Sequence, residues 1–499
     1  MNAPMTSGLR LTIRVYKQGL GDAFLLGFHT ANDRARWVLI DCGVVGRQDA
    51  PTYMQAVATD IAHTTSDTAH PDGHLHCIVV SNLRWDHVSG FVQAAPIFHK
   101  MAVDEIWLPA TADPGNEQAH RRAGETQQRL QALRRVVPGL SAPAPDLARR
   151  LTGVLSLFGD HHDASANGAT APEASAAALA ILRGLEQTGT RLRYLDVRIA
   201  PQRLFSDLPM VRVYVLGPQA EGNTPGRRHQ LAAEQGALDL AGTFLAAAQK
   251  TLGLTAAEES QWKELLERNL PFAPNQQITV ATQTVDGQES PIFHPSTHAR
   301  FFATRYFAAS ESWRRIDYDW LGVAQSLALT LDHSANNASL VLAFELADSE
   351  QVLLFPGDAQ LGAWRAWDAL SWTMRDGGQE RHVTAHDLLR RTVVYKVAHH
   401  CSQTGTLLAG GLERMERGDL VALLPVSRAA ARELGWDLPY APLLQRLRNK
   451  TRGRILITDP EESPLAARGK PDDLTEADWR KFQQAVCETS LYTQYTLNV

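Results

Sequence analysis

The stretch Cys77-Ile78-Val79-Val80-Ser81-Asn82-Leu83-Arg84-Trp85-Asp86-His87-Val88-Ser89-Gly90 decides how this chain reads. Its first four residues are apolar and largely β-branched, the pattern of a short central strand buried on both faces. The strand empties into a polar loop that sets an Asp beside a His, Asp86-His87. Three other apolar runs end the same way. Trp37–Ile40 leads into Asp41, Gln351–Phe355 into Pro356-Gly357-Asp358, and Thr392–Val397 into Ala398-His399-His400-Cys401-Ser402. Strand ends on one edge of a sheet converge, so side chains carried there meet with the precision a metal site needs. Carboxylate and imidazole together suit zinc, manganese or iron. A lone Asp or His in a loop is ordinarily structural; four such loops, each directly after an apolar strand, are a stronger signal.

Outward from these loops, Leu11–Tyr16, Phe24–Phe28 and Trp37–Ile40 read as a meander of strands, with a turn at Gly19–Gly21 and a helix near Thr52–His63. Residues 1–110 form the first half of an α/β core. Residues 111–174 are an insertion, low in complexity at Asp163–Ala174, and 175–220 return to the core with a helix at Ser175–Thr188 and a strand at Val211–Leu216. Residues 221–320 are a second, mainly helical insertion, in which Thr255-Ala256-Ala257-Glu258 has the form of a capping box for a helix through Leu266. Residues 321–460 supply the second half of the core, with strands at Leu327–Leu331, Ser339–Glu345 and Gln351–Phe355 and a Trp-rich helix at Ala363–Met374. Residues 461–499 end the chain with a helix and a strand. Strands entering polar loops, with helices between them, predict two sheets inside and helices on both outer faces, a four-layer αββα sandwich.

Composition narrows the classes. With 499 residues, 44% hydrophobic and 21% charged, the chain is neither disordered nor collagen-like and has ample material for a core. No apolar run approaches the roughly 20 residues that cross a bilayer. The 49 basic and 54 acidic residues leave a net charge of −5. General nucleic-acid binding is therefore unsupported by charge, although a local basic groove is compatible with it. Cys42, Cys77, Cys401 and Cys487 form no C-x-x-C pair, and Met1–Leu11 shows no apolar signal-type stretch. A cytoplasmic location is the expectation.

The order of motifs resembles a family. Gln18-Gly19-Leu20-Gly21-Asp22-Ala23, Val38-Leu39-Ile40-Asp41-Cys42-Gly43, Ser81–Gly90, Val215-Leu216-Gly217-Pro218, Asn336-Asn337-Ala338-Ser339, Phe355-Pro356-Gly357-Asp358 and Lys396–Ser402 follow one another. So do Tyr440-Ala441-Pro442 and Ile455–Asp459. Together they resemble the metallo-β-lactamase fold hydrolases, nearest the branch that holds the nuclease-like domain of competence DNA-uptake proteins. The likeness runs from about residue 11 to 460, interrupted by the two insertions. It departs at the ligands. Where the family's main loop reads T-H-x-H-x-D-H, this chain keeps Asp86 and His87 but has Asn82 and Arg84 in place of the first two His. Cys401 stands where H-H-G-S has Gly, and Ala441 where a late His is usual.

What the resemblance implies is a second-metal position built from Asp86, His87, Asp358 and one or both of His399 and His400. Three or four such ligands are enough for one ion, zinc or manganese. Arg84 cannot coordinate a metal. It would act as an anion clamp for substrate phosphate, or pair with Asp86 and Asp358 and make an ion unnecessary. Asp41, Asn82, Asn336 and Asn337 are expected to orient ligands or satisfy backbone groups in turns. His333 is a candidate extra ligand. The Asp160-His161-His162-Asp163 run and the His70/His74/His76 group read as solvated surface. Two readings stand: a single-metal hydrolase of a phosphodiester or related ester, and a catalytically degenerate member that binds a protein partner or small ligand, its helical insertions the contact surface.

Overall fold

In the computed structural model, residues 9–30, 35–140, 145–159, 171–185, 189–219, 281–285, 288–292, 305, 335–376 and 379–499 are described. The fold is mixed α/β, and the chain divides into two compact units. One comprises Met1–Gln127, Thr152–Pro225 and Asp332–Val499; the other comprises Gln128–Leu151 and Gly226–Leu331.

The larger unit carries two mixed sheets. Its strands are β1 (Arg10–Tyr16), β2 (Ala23–His29), β3 (Ala35–Cys42), β4 (His74–Val79), β5 (Ala102–Pro109), β6 (Arg191–Leu195), β7 (Gln202–Arg203) and β8 (Val211–Gly217). In the smaller unit, β9 (Ala281–Val285) and β10 (Gln288–Ile292) form an antiparallel pair. The larger unit continues with β11 (Val341–Leu346), β12 (Gln351–Phe355), β13 (Ser371–Asp376), β14 (Gln379–Thr384), β15 (Thr392–Lys396), β16 (Val421–Leu424), β17 (Ile455–Ile457), β18 (Val486–Glu488) and β19 (Tyr492–Asn498). The first sheet has the order β18-β19-β1-β2-β3-β4-β5-β6, and the second β17-β16-β15-β12-β11-β8-β7.

Each sheet joins an antiparallel meander to a parallel half. β3, β4 and β5 run parallel in the first sheet, and β12, β15, β16 and β17 in the second. Parallel neighbours end on the same edge, so β3 and β4 deliver Asp41 and Ser81 together, and β12 and β15 deliver Asp358 and His400 together.

One apolar cluster unites the sheets: Leu11, Ile13, Phe24, Phe28, Val38 and Ile40 of the first meet Val213, Val215, Leu342, Phe344, Leu353 and Phe355 of the second. Phe24 and Phe355 meet edge to face at 5.5 Å, an arrangement worth about 1 kcal/mol beyond burial. Alternate residues of the first sheet, Leu25, Leu39, Ile78 and Val80, face Met54, Val57 and Ile61 of the helix Ala50–Thr65 and Phe91 of the helix Trp85–Gln93. Those of the second, Tyr214, Leu354, Tyr395 and Ala422, face Trp364, Trp367, Leu388 and Leu447. The period-2 alternation visible in the sequence thus supplies both surfaces of each sheet.

Several expectations need correction. The Trp-rich helix stops early: Leu361–Ala366 is helical, Trp367–Ala369 makes one tight turn, and Ser371–Asp376 is a strand paired with β14. There Ser371, Thr373 and Arg375 are exposed while Trp372 is buried, a strand alternation that overrides the helical spacing of the tryptophans. The strand expected at Cys77–Val80 begins at His74, because β5 pairs with it from Ala102 onward. Within 111–174 the helices Glu117–Leu140 and Pro145–Ser156 are described, and Ala171–Gly184 begins before the helix foreseen at Ser175. The capping-box helix through Leu266 and the strand Leu327–Leu331 lie outside the described residues, as does the Asp160–Asp163 run. Inside the stretch read as mainly helical, β9 and β10 are strands. No helix among the described residues is long and apolar enough to cross a membrane.

Candidate metal centre

Glycines let the loops close on one another. Gly21 has φ +137°, and a Cβ there would run into the Gly43 carbonyl. A Cβ on Gly43 would lie 2.5 Å from the Asp86 backbone. This close approach makes two hydrogen bonds, Asp22 N to Asp86 O at 3.0 Å and Gly43 N to Asp22 O at 3.0 Å. The Ser81–Gly90 loop is thereby tied to the ends of β2 and β3, and Asp86 falls in the first turn of the helix Trp85–Gln93.

Asp86, His87 and Asp358 converge, with one ligand atom from each within 4.8 Å of the others. All three are fully buried, and His400 is 2% exposed. His87 Nδ1 lies 2.9 Å from Asp41 Oδ2, and Asp41 also accepts from Ser81 N at 2.6 Å and Ser81 Oγ at 2.5 Å. Asp41 is thus the orienting carboxylate behind the imidazole, the arrangement that fixes a metal-ligating His. His400 Nδ1 lies 2.9 Å from the Pro425 carbonyl, which can only accept, so Nδ1 carries the proton. Both rings therefore turn Nε2 inward. His87 Nε2 is 2.9 Å from Asp358 Oδ2 and 3.7 Å from Asp86 Oδ2, and His400 Nε2 is 3.6 Å from Asp86 Oδ2.

These separations bracket the edge of about 3.3 Å expected between ligands on a tetrahedron with bonds of about 2.0 Å. Asp86 Oδ1, Asp358 Oδ1 and His400 Nε2 are buried without a hydrogen-bond partner. Asp86, His87 and Asp358 offer three ligand atoms close enough together for one divalent ion, with His400 Nε2 beside Asp86.

Two protein cations share the centre. Arg84 Nη2 donates to Asp86 Oδ2 at 3.2 Å, Nη1 lies 3.5 Å from Asp358 Oδ2, and Nη1 also donates to Asn336 Oδ1. Lys396 Nζ lies 2.5 Å from Asp22 Oδ2 and 3.6 Å from Asp358 Oδ1, and donates to Gly357 O at 2.7 Å. Asp22, Asp41, Asp86 and Asp358 against Arg84 and Lys396 leave two negative charges, the complement of one divalent cation or of two protonated imidazoles.

Titration follows the same balance. Burial pulls the His87 pKa down, but the carboxylates of Asp358, Asp86 and Asp41 overcome it and hold the value well above 6.5. His400 is raised too: burial opposes, while its contact with Asp86 and the charges of Asp22 and Asp358 prevail. Burial would raise Asp86, yet the Arg84 guanidinium and then His87 keep it well below 3.8. Asp358 is held down against burial by His87 and His399. Burial lifts Asp41, with His87 opposing. Lys396 remains charged because Asp22 and Asp358 outweigh burial.

The adjacent imidazoles separate. His399, His400 and Cys401 have φ of 46°, 50° and 64°, a left-handed run costing about 1–3 kcal/mol per residue. It sends His400 to Asp86, whereas half-buried His399 contacts Ser402 Oγ at 2.9 Å and Gln360 Nε2 at 3.3 Å through Nδ1. His399 is thus held through Nδ1 by Ser402 and Gln360, while its charge still reaches Asp358. The reading of Asn336 is corrected: its carbonyl accepts from the Arg84 guanidinium rather than from a turn backbone. Asn337 Oδ1 does accept a backbone N–H, that of Ala363 at 3.2 Å, and Asn82 bonds Ala335 O, Ser339 Oγ and Arg84 N. His333 lies outside the described residues. Cys401 is buried and its thiol is pushed up to about 12 by burial, so it is no nucleophile. Trp364 and Trp367 are packed within the core, not presented as a stacking surface.

Sequence reasoning missed Asp22 and Lys396 as members of the centre. The signals were present: an Asp directly after a Gly-x-Gly turn, and a Lys closing an otherwise apolar strand. Comparison with protein-family models, with curated proteins and with solved structures gives no match to any.

Proposed function

We propose that this chain is a metal-dependent hydrolase of the metallo-β-lactamase type, a four-layer αββα sandwich acting on a phosphodiester or related ester through one divalent ion. The observation that carries the reading is the pair of imidazoles, His87 and His400, each with Nδ1 committed to an oxygen acceptor, His87 turning Nε2 toward Asp358 and Asp86 and His400 turning Nε2 toward Asp86. Zinc or manganese would be held by Asp86, His87, Asp358 and His400. When bound, the ion supplies Lewis acidity and lowers the pKa of a coordinated water. Arg84 keeps a fixed positive charge beside the centre, where it draws an anionic ester oxygen and limits the charge left for metal to that of one ion. Lys396 neutralises Asp22 and steadies Gly357, the residue before Asp358.

A second reading has its own support: the Arg84 guanidinium reaches both Asp86 and Asp358, as in a protein that has replaced metal with its own cations and acts as a binding or regulatory partner. Elemental analysis of tag-free protein, with hydrolysis of bis(p-nitrophenyl) phosphate before and after chelation, decides between them. A metal equivalent that Asp358→Ala loses, together with chelator-sensitive turnover that the same variant lacks, supports the hydrolase. Metal content that Asp358→Ala leaves unchanged, with chelator-insensitive background activity, leaves the binding protein.

A further inference from the structure

At the opposite, N-terminal end of β4, imidazoles gather again. The His70 and His74 rings meet tilted at 37° with centroids 4.2 Å apart, and His74 and His76 stack with centroids 4.1 Å apart. A carboxylate sits on each of the first two rings: Asp67 Oδ1 is 3.2 Å from His70 Nδ1, and Asp104 Oδ1, on the neighbouring strand β5, is 2.9 Å from His74 Nε2. His74 presents only 13% of its side chain to solvent, while Asp67 and Asp104 are more than half exposed.

We propose that His70 and His74, with Asp67 and Asp104, form a second, surface site for a divalent transition-metal ion of the zinc, nickel or copper class. The donor set is two imidazoles and two carboxylates, which suits these ions and discriminates against magnesium. Two carboxylates balance the charge of one such ion. The contacts of 2.9 and 3.2 Å are close to the ligand–ligand edges of a tetrahedral site with bonds of about 2.0 Å. Ligand atoms of Asp67, His70 and His74 lie within 4.8 Å of one another, and so do those of His74, His76 and Asp104. Asp67 Oδ1 accepts from the Ala69 and His70 backbone N–H groups at 2.8 and 2.7 Å, which fixes the carboxylate beside the His70 ring.

His76 is not a ligand. Its Nδ1 accepts from the Trp37 backbone N–H at 3.1 Å, and its Nε2 faces the Arg36 guanidinium at 2.7 Å. It serves as the platform on which His74 lies. Arg36 itself is paired with Asp207.

This site is independent of the buried centre and of the hydrolase reading. The test is zinc binding to tag-free, chelator-stripped protein by equilibrium dialysis and calorimetry, comparing wild type with His70→Ala/His74→Ala and with His70→Gln/His74→Gln. Circular dichroism confirms folding. Both variants should bind one zinc equivalent fewer than wild type, and Asp104→Asn should weaken that equivalent at least tenfold. Copper added to wild type should show nitrogen hyperfine structure in its paramagnetic resonance spectrum that the variants lack. Equal zinc stoichiometry and affinity in wild type and both variants overturns the proposal, whatever metal the Asp86 centre holds.

Discussion

Arg84→Met tests the electrostatics of the buried centre directly. Wild type sets one guanidinium, one ammonium and the His87 and His400 imidazoles among four buried carboxylates; the variant deprives Asp22, Asp41, Asp86 and Asp358 of the guanidinium. Methionine roughly preserves the aliphatic volume but removes the donors to Asp86 and Asn336. Breaking one partner from a buried pair costs about 3–5 kcal/mol, because the remaining charge is left uncompensated. In chelator-treated protein the denaturation midpoint, followed by tryptophan fluorescence in urea, should fall by that free energy. Adding zinc should return part of it, about 2.7 kcal/mol at a hundredfold excess over the dissociation constant. An unchanged midpoint in chelator would refute the claim that Arg84 neutralises these carboxylates. A lowered midpoint that zinc leaves untouched would refute the metal centre while keeping the ion pair.

His400→Ala should lose the buried metal equivalent while His399→Ala retains it, read by elemental analysis, because only His400 turns Nε2 to Asp86. Gly21→Ala should destabilise the fold by about 3 kcal/mol or more, measured by denaturation, since its positive φ and the Gly43 carbonyl both exclude a side chain. Glu345, buried among Arg212, Arg381 and Arg391, gives a pH test. Burial opposes, but Arg391, Tyr214 and Arg381 hold its pKa below 4.5, so its stabilisation is present above 4.5 and is lost as pH falls through the lower folded value. Glu345→Gln should therefore be less stable than wild type at neutral pH, with the gap narrowing below pH 4.5; a constant gap would contradict the shift.

Strands and their polar exits were legible because they rest on local pattern. Period-2 alternation and short β-branched runs locate β1 to β4, β11, β12 and β15 with small errors at their ends, and Asp41, Asp86, His87, Asp358 and His400 stand at those strand ends or a few residues beyond them. Where two patterns compete, as at Trp364, Trp367 and Trp372, helical spacing misled, since pairing with β14 turned the last tryptophan into a strand residue. Asp22 and Lys396 stand inside quoted motifs, yet the pairing that makes them part of the centre, Lys396 against Asp22 and Asp358, joins distant parts of the chain.

From its residues alone this chain determined an α/β class, the order of its strands, and a set of acidic and imidazole side chains at strand ends, since each depends on neighbours a few positions away. Tertiary structure decided which of them meet. His87 and Asp358 are 271 residues apart and touch only because two sheets pack face to face through a shared core. It also chose between His399 and His400 by a left-handed turn, and set the Arg84 guanidinium between two carboxylates. Charge compensation in a buried space depends on every group that reaches it, and those groups come from strands whose association no local pattern encodes.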